Sequence, residues 1–352
     1  MRICFLEGDM SRKGGTERMT ALLANVMCAG HQVWVLSLHL YGGEVFFELD
    51  TSVRHVTLEP AAGKLGILAQ ISEIHRFIKQ NHIDRVINVD VGMGFYGVLA
   101  AWGTKTKVIT WEHGNYFNNW GSRMFPHMRR FAARRSDAMV VLTEQDRENY
   151  KTHISRCAPI YVIPNPASAH SFTYDVESRT ILSAGLLLPI KGYDRVVELA
   201  KRLLPSRPEW KWVICGDGPE RENLERAIKE AGLTGKVLLP GTVRDMDRQY
   251  QSAALFVMTS DREGLPMVLL EAKGWGLPLV SFDIETGPRD IISDGLNGCL
   301  VRPYDLDEMA EKIAILMDSP ELRQQYSEQS QVGMDRFAWG QILAAWREVL
   351  EA

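Results

Sequence analysis

At 352 residues, with 45% hydrophobic and 24% charged side chains, the chain is long enough for two domains that each bury a core, and its composition excludes disordered, coiled-coil and fibrous classes. The net charge of −4 is unevenly spread: residues 1–170 carry 19 Lys and Arg against 15 Asp and Glu, residues 171–352 carry 21 against 29. An acidic second half argues against nucleic-acid binding, whereas a basic first half suits an anionic acceptor or a membrane surface. No apolar run is long enough for a membrane span or a signal peptide, and the five widely spaced cysteines form no C-x2-C pair, which fits reduced thiols in a cytoplasmic protein.

In chain order, the pattern opens with a strand over 2–7, a helix over 17–28 and a strand over 32–38, a beta-alpha-beta start. Further strands are expected over 85–89, 107–111, 138–143 and 160–163, with helices over 71–80 and 123–135 between them, so a parallel doubly wound sheet follows. Pro164-Asn165-Pro166 breaks the rhythm and places a domain hinge, giving domains over 1–166 and 167–334. Alternation restarts with strands over 180–184, 212–215, 237–239, 255–258 and 278–282 and helices over 194–204 and 220–231, a second Rossmann-like unit. Residues 342–350 read as an amphipathic helix within a terminal segment, 335–352, expected to pack across the domains.

The motifs lie where such sheets bind ligands, after strands and before helices. Gly14-Gly15-Thr16-Glu17 follows the first strand; it lacks the G-x-G-x-x-G spacing of a dinucleotide site. Glu112-His113-Gly114 ends another strand, where His113 can bond a sugar hydroxyl or assist proton movement. Arg123, Arg129, Arg130, Arg134 and Arg135 interleave with Met124, Phe125, Met128 and Phe131 in a basic amphipathic segment that suits anionic lipid. In the second half, Gly185 to Gly192 and Gly216-Asp217-Gly218-Pro219 are Gly-containing strand-to-helix turns, and Lys191 can reach a diphosphate. Glu263-Gly264-Leu265-Pro266-Met267-Val268-Leu269-Leu270-Glu271 spaces two carboxylates across a loop-to-helix junction, with Pro266 suited to the first helical turn. A helix start offers free N–H groups and a positive dipole end to phosphate.

Together with Ile163-Pro164-Asn165-Pro166, Pro240-Gly241 and Gly276-Leu277-Pro278, these pieces resemble glycosyltransferase family 4 over nearly the full chain. The resemblance implies a GT-B fold, two Rossmann-like doubly wound α/β domains facing a central cleft, the first binding acceptor and the second a nucleotide sugar. It implies that Glu263 binds donor-sugar hydroxyls, Glu271 the ribose, and Lys191 with backbone at Gly264, Leu265, Met267 and Val268 the diphosphate. Gly15, Gly185 and Gly216 would border the donor, His113 the sugar, and Thr242 and Val243 the nucleobase. Leu186 departs from the family, which usually carries Arg there; Lys191, Arg12, Lys13 or Arg262 would supply that charge.

The function implied is retaining transfer of a hexose, from a nucleotide sugar expected to be UDP-linked, to a lipid-linked oligosaccharide or polysaccharide. It would proceed by front-face attack without a protein nucleophile, cofactor or metal, in a cytoplasmic protein able to meet the inner membrane face. Two alternatives stay open: a UDP-sugar 2-epimerase of the same fold, and a catalytically idle sugar-nucleotide-binding scaffold.

Overall fold

The computed structural model describes residues 1–58, 66–119 and 121–352. The described chain forms two compact units, Met1–Pro164 with Ala344–Ala352, and Asn165–Leu343.

The first unit is built from β1 (Arg2–Asp9), α1 (Gly15–Met27), β2 (Gln32–His39), β3 (Arg54–Thr57), α2 (Gly66–Gln80), β4 (Arg85–Val89), α3 (Val91–Ala101), β5 (Lys107–Trp111), α4 (Phe125–Arg135), β6 (Ala138–Val141), α5 (Glu144–His153) and β7 (Ile160–Val162). Its seven strands lie in the order β3-β2-β1-β4-β5-β6-β7, and every pair is parallel. Helices cover both faces of such a sheet, so its strands read as continuous apolar runs. Ile3 to Leu6 and Val33 to Leu36 are buried accordingly.

The sequence does not announce α3, because Val91 to Ala101 is apolar or small throughout and shows no 3.6-residue stripe. Its glycines replace periodicity with closeness. A Cβ on Gly94 would come 2.7 Å from Ala132, and one on Gly97 would collide with the Asn88 amide, so α3 packs tightly on α4 and β4. The edge strand β3 also carries no pattern, being two half-buried residues between two exposed ones. Helix α2 begins at Gly66, five residues before the expected start.

The second unit contains β8 (Thr180–Ala184), α6 (Tyr193–Leu203), β9 (Lys211–Cys215), α7 (Arg221–Glu230), β10 (Val237–Gly241), α8 (Met246–Gln251), β11 (Leu255–Met258), α9 (Met267–Gly274), β12 (Leu279–Phe282), α10 (Pro288–Ile291), β13 (Gly298–Val301), α11 (Leu306–Asp318) and α12 (Pro320–Glu328). Its six parallel strands run β10-β9-β8-β11-β12-β13. Helix α6 shows the expected stripe, burying Tyr193, Val196, Val197, Ala200 and Leu203 against the sheet. Its core includes Trp210 and Trp212. Side-chain caps start the last two of these helices: Asp305 accepts from Glu308 N–H before α11, and Ser319 from Leu322 N–H before α12. A final helix, α13 (Trp339–Glu351), ends the chain.

Candidate active site

Each sheet reverses its strand order once, between β1 and β4 in the first unit and between β8 and β11 in the second. Ligands of open α/β sheets bind outside the carboxyl ends of the strands at such a point.

In the second unit, the segment after β8 carries Lys191 and the segment after β11 carries Glu263. Lys191 Nζ lies 2.6 Å from Glu263 Oε1, with both side chains mostly buried. The backbone fastens the two segments together. Thr259 Oγ1 donates to the carbonyls of Lys191 and Gly192, and Asp261 N–H donates to Ile190 O at 2.8 Å. Arg195 bridges them again, pairing with Asp261 at 2.6 Å and donating to Thr259 O. Thr286 Oγ1 donates to the carbonyl of Glu263 and holds the start of the acidic motif.

Pro266 is the extended residue capping α9 rather than a member of its first turn, and the helix proper runs from Met267. Met267 and Val268 thus offer first-turn N–H groups, while the Leu265 side chain is buried. Within α9, Glu271 Oε2 accepts from the buried Tyr250 hydroxyl at 2.7 Å. Gly185 and Gly216 directly follow β8 and β9 in backbone contact: a Cβ on Gly216, at φ +147°, would stand 1.9 Å from the Gly185 carbonyl oxygen. Leu186 follows Gly185 half-exposed, Arg262 is exposed beside Glu263, and Thr242 and Val243 directly follow β10.

In the first unit, Gly15 opens α1 with nothing within 4 Å of a Cβ position, so its backbone is approachable. Arg12 pairs with Glu17 at 3.7 Å, and Lys13 lies over the Phe46 ring. His113 follows β5, its ring 4.0 Å from that of Trp111. The residue as a whole is half-buried, yet its Nε2 is enclosed and has no hydrogen-bond partner among the described residues. Burial pushes its pKa down to about 3, so the ring is neutral at physiological pH.

Glu112 belongs to a chain of buried carboxyls of which Glu7, Asp90 and Asp146 lie outside the motif reading. Glu7, two residues before the end of β1, is pushed up to about 8 by burial, with Glu17 adding to the shift. Asp146 in α5 is likewise raised to about 8 by burial and by Glu112. Burial also raises Glu112 and Asp90, and the Arg129 guanidinium opposes it at both. Asp90 caps α3 at φ +77° and ψ 152°, a region that only glycine enters without strain. Its signal was available, an Asp directly after the β4 strand pattern; Glu7 and Asp146 sit in ordinary strand and helix contexts and give none.

The basic segment needs a correction. Arg129 does not face a membrane: it is 3% exposed and points inward with Ala132 and Ala133, one and the same face of α4 at i, i+3 and i+4. The carboxylates beneath that face hold it there. Phe125 and Phe131 pack against core clusters, so the apolar stripe is largely interior. Arg123, Arg130, Arg134 and Arg135 are exposed, with Arg123 preceding the helix and Arg134 donating to Ser155. Among the described residues no helix is long and apolar enough to cross a membrane.

Comparison with known proteins adds two family matches that meet end to end: Glycosyltransferase Family 4 over residues 13–169, and Glycosyl transferases group 1 over residues 168–332. An uncharacterized glycosyltransferase of Haemophilus influenzae is 28% identical, with 99% of each chain covered. The GalNAc-alpha-(1->4)-GalNAc-alpha-(1->3)-diNAcBac-PP-undecaprenol alpha-1,4-N-acetyl-D-galactosaminyltransferase of Campylobacter jejuni is 27% identical, covering 99% of this chain and 98% of its own. The solved structure of Anabaena HepE in complex with UDP superposes with a TM-score of 0.81 at 16% identity, covering 100% of this chain and 99% of that one. The fold is therefore GT-B, two Rossmann-like units in one chain.

Proposed function

We propose, from the premise that the chain belongs to glycosyltransferase family 4, that it moves a hexose with retention from a UDP-linked donor to a lipid-linked oligosaccharide or polysaccharide. The observation that carries this reading is the Lys191–Glu263 pair at the strand-order reversal of the second unit. Lys191 supplies positive charge to the departing diphosphate, aided by N–H groups of Met267 and Val268 at the start of α9. Glu263 accepts from sugar hydroxyls, Glu271 from the ribose, and Thr242 and Val243 border the base. Arg262, exposed beside Glu263, adds the cation that Leu186 cannot. A UDP-sugar donor agrees with the UDP in the HepE complex, and a lipid-linked acceptor agrees with the polyprenyl-linked substrate named for the Campylobacter enzyme.

The reaction breaks the bond from the anomeric carbon to the diphosphate and forms one from the same face to an acceptor oxygen. The acceptor proton passes to the leaving phosphate. No protein nucleophile takes part, so catalysis is positioning and leaving-group electrostatics. Neutral His113 offers a sugar hydroxyl a hydrogen bond rather than a proton, and exposed backbone at Gly15 borders phosphate. Exposed Arg123, Arg130, Arg134 and Arg135 bring the first unit to anionic lipid at the cytoplasmic membrane face.

Incubation with a panel of UDP-hexoses and polyprenyl-diphosphate oligosaccharides tests the reading. It predicts transfer to one acceptor class, undiminished by EDTA. No transfer, together with unchanged donor affinity in Lys191→Ala and Glu263→Ala, would overturn it. NMR of UDP-N-acetylglucosamine incubated alone would reveal an epimerase instead.

A further inference from the structure

We propose that Arg129 is the positioning residue for the loop that follows β5, holding His113 in place through that loop's backbone; this rests on the reading that His113 serves sugar transfer. The guanidinium reaches four residues of the loop. Nη1 donates to Asn119 Oδ1 at 2.7 Å, Nη2 donates to the carbonyl of Asn118, and Nε lies 4.0 Å from Glu112 Oε2. Its Cζ also lies 5.3 Å from the Tyr116 ring centre, and 5.2 Å from that of Phe125 at the start of α4. A fork of this shape can make such contacts at once, whereas an ammonium can only choose among them.

Space filling does not explain it. A guanidinium this enclosed is costly to desolvate, and an apolar side chain of similar volume would fill the same space without that cost. What Arg129 adds is charge among Glu112, Asp90 and Asp146, three carboxyls that burial drives toward their neutral forms. Those carboxyls tie the loop down. Glu112 Oε1 accepts from Gly114 N–H at 2.9 Å, Glu112 Oε2 accepts from the Tyr150 hydroxyl at 2.7 Å, and Asp146 Oδ1 accepts from Tyr116 N–H at 2.7 Å. An ionised Glu112 accepts on both oxygens, which a protonated one does less well. Arg129 therefore acts on the loop directly and through Glu112. Among the described residues the His113 side chain has the Trp111 ring contact and an enclosed Nε2 without a hydrogen-bond partner, so its position is inherited from the backbone on either side.

Two variants separate this role from simple stability. Arg129→Lys keeps the charge and removes the fork, while Asn119→Ala deletes one bond from the rim and leaves the buried charge intact. Histidine-labelled protein is titrated by NMR, and transfer is measured in wild-type and His113→Ala backgrounds. The expected result is that the His113 midpoint rises by at least about one pH unit toward the ordinary value of about 6.5, as the loosened ring meets water. Turnover should fall about 10-fold with His113 present and less than about twofold with Ala there, because the two changes act through one side chain. A His113 midpoint unmoved in both folded variants, or equal losses in the two backgrounds, would overturn the assignment. The titration needs no turnover, so it decides the role of Arg129 even if the chain proves to transfer no sugar.

Discussion

Lys191 and Glu263 stand 72 positions apart in sequence yet meet at 2.6 Å, joining the segments after β8 and β11 across the point where strand order reverses. The cation assigned to phosphate and the carboxylate assigned to sugar are thus one ion pair, and a diphosphate must compete with Glu263 for Lys191. Glu263→Gln removes the competitor and keeps the shape. It should bind UDP alone a few-fold more tightly while losing at least about 100-fold in turnover of the UDP-sugar. Lys191→Ala should weaken both. Isothermal titration with UDP, beside initial rates, reads the two effects separately; weaker UDP binding in Glu263→Gln would show that the carboxylate does not restrain the lysine.

Tyr250 is buried and spends its hydroxyl on Glu271 Oε2 at 2.7 Å. The bond holds one oxygen of the carboxylate that the proposed function sets against a ribose. Tyr250→Phe keeps the ring in the core, so melting should change little, while UDP binding should weaken by about 10-fold, the value of one hydrogen bond to a charged group. Unchanged UDP affinity would move the ribose contact away from Glu271.

Much of this arrangement was legible in the chain. Strands 85–89, 107–111, 180–184 and 255–258 fall where the apolar runs placed them, because a strand buried on both faces cannot disguise its composition. Lys191 and Glu263 were readable as residues between a strand and a helix, and Glu271 as a residue of the helix that follows. What the sequence hid was direction. Arg129 sits among arginines that are exposed, and only the side of α4 that meets Asp90, Glu112 and Asp146 decides that it turns inward. Helix α3 was hidden because small residues on every side leave no stripe. Glu7 was hidden because an acid at a strand end reads as a solvated tip, whereas here it is 5% exposed beside Glu17 and Asp90.

The exposed arginines give a prediction about lipid that excludes Arg129. Replacing Arg123, Arg130 and Arg135 with Glu should reduce co-sedimentation with vesicles of anionic phospholipid by about 10-fold or more at low salt. Each basic residue near such a surface contributes about 1 kcal/mol, and the attraction is screened within a Debye length. Raising the salt should mimic the substitutions. Binding that ignores both would leave α4 as an ordinary surface helix.

Glu7 makes stability depend on pH in an unusual direction. Its native pKa is raised to about 8, mainly by burial, against an unfolded value of about 4.3, so the folded chain holds a proton that the unfolded chain has released. That contribution is complete below about pH 4 and is lost as pH rises through about 8. Asp146, also raised to about 8, acts with the same sign. His113, lowered to about 3, contributes only on the acid side of about pH 6.5, and Lys273, lowered to about 8, only above that value, so the window from pH 6.5 to 8 isolates the carboxyls. Each can withdraw up to about 2 kcal/mol there, at 1.36 kcal/mol per pH unit. The melting temperature should therefore fall by a few degrees from pH 6.5 to 8, and Glu7→Gln, which retains the neutral shape but cannot ionise, should flatten that slope. A slope identical in the variant would mean that Glu7 is already ionised at pH 6.5, with Thr20 and the Gly8 N–H stabilising its charge.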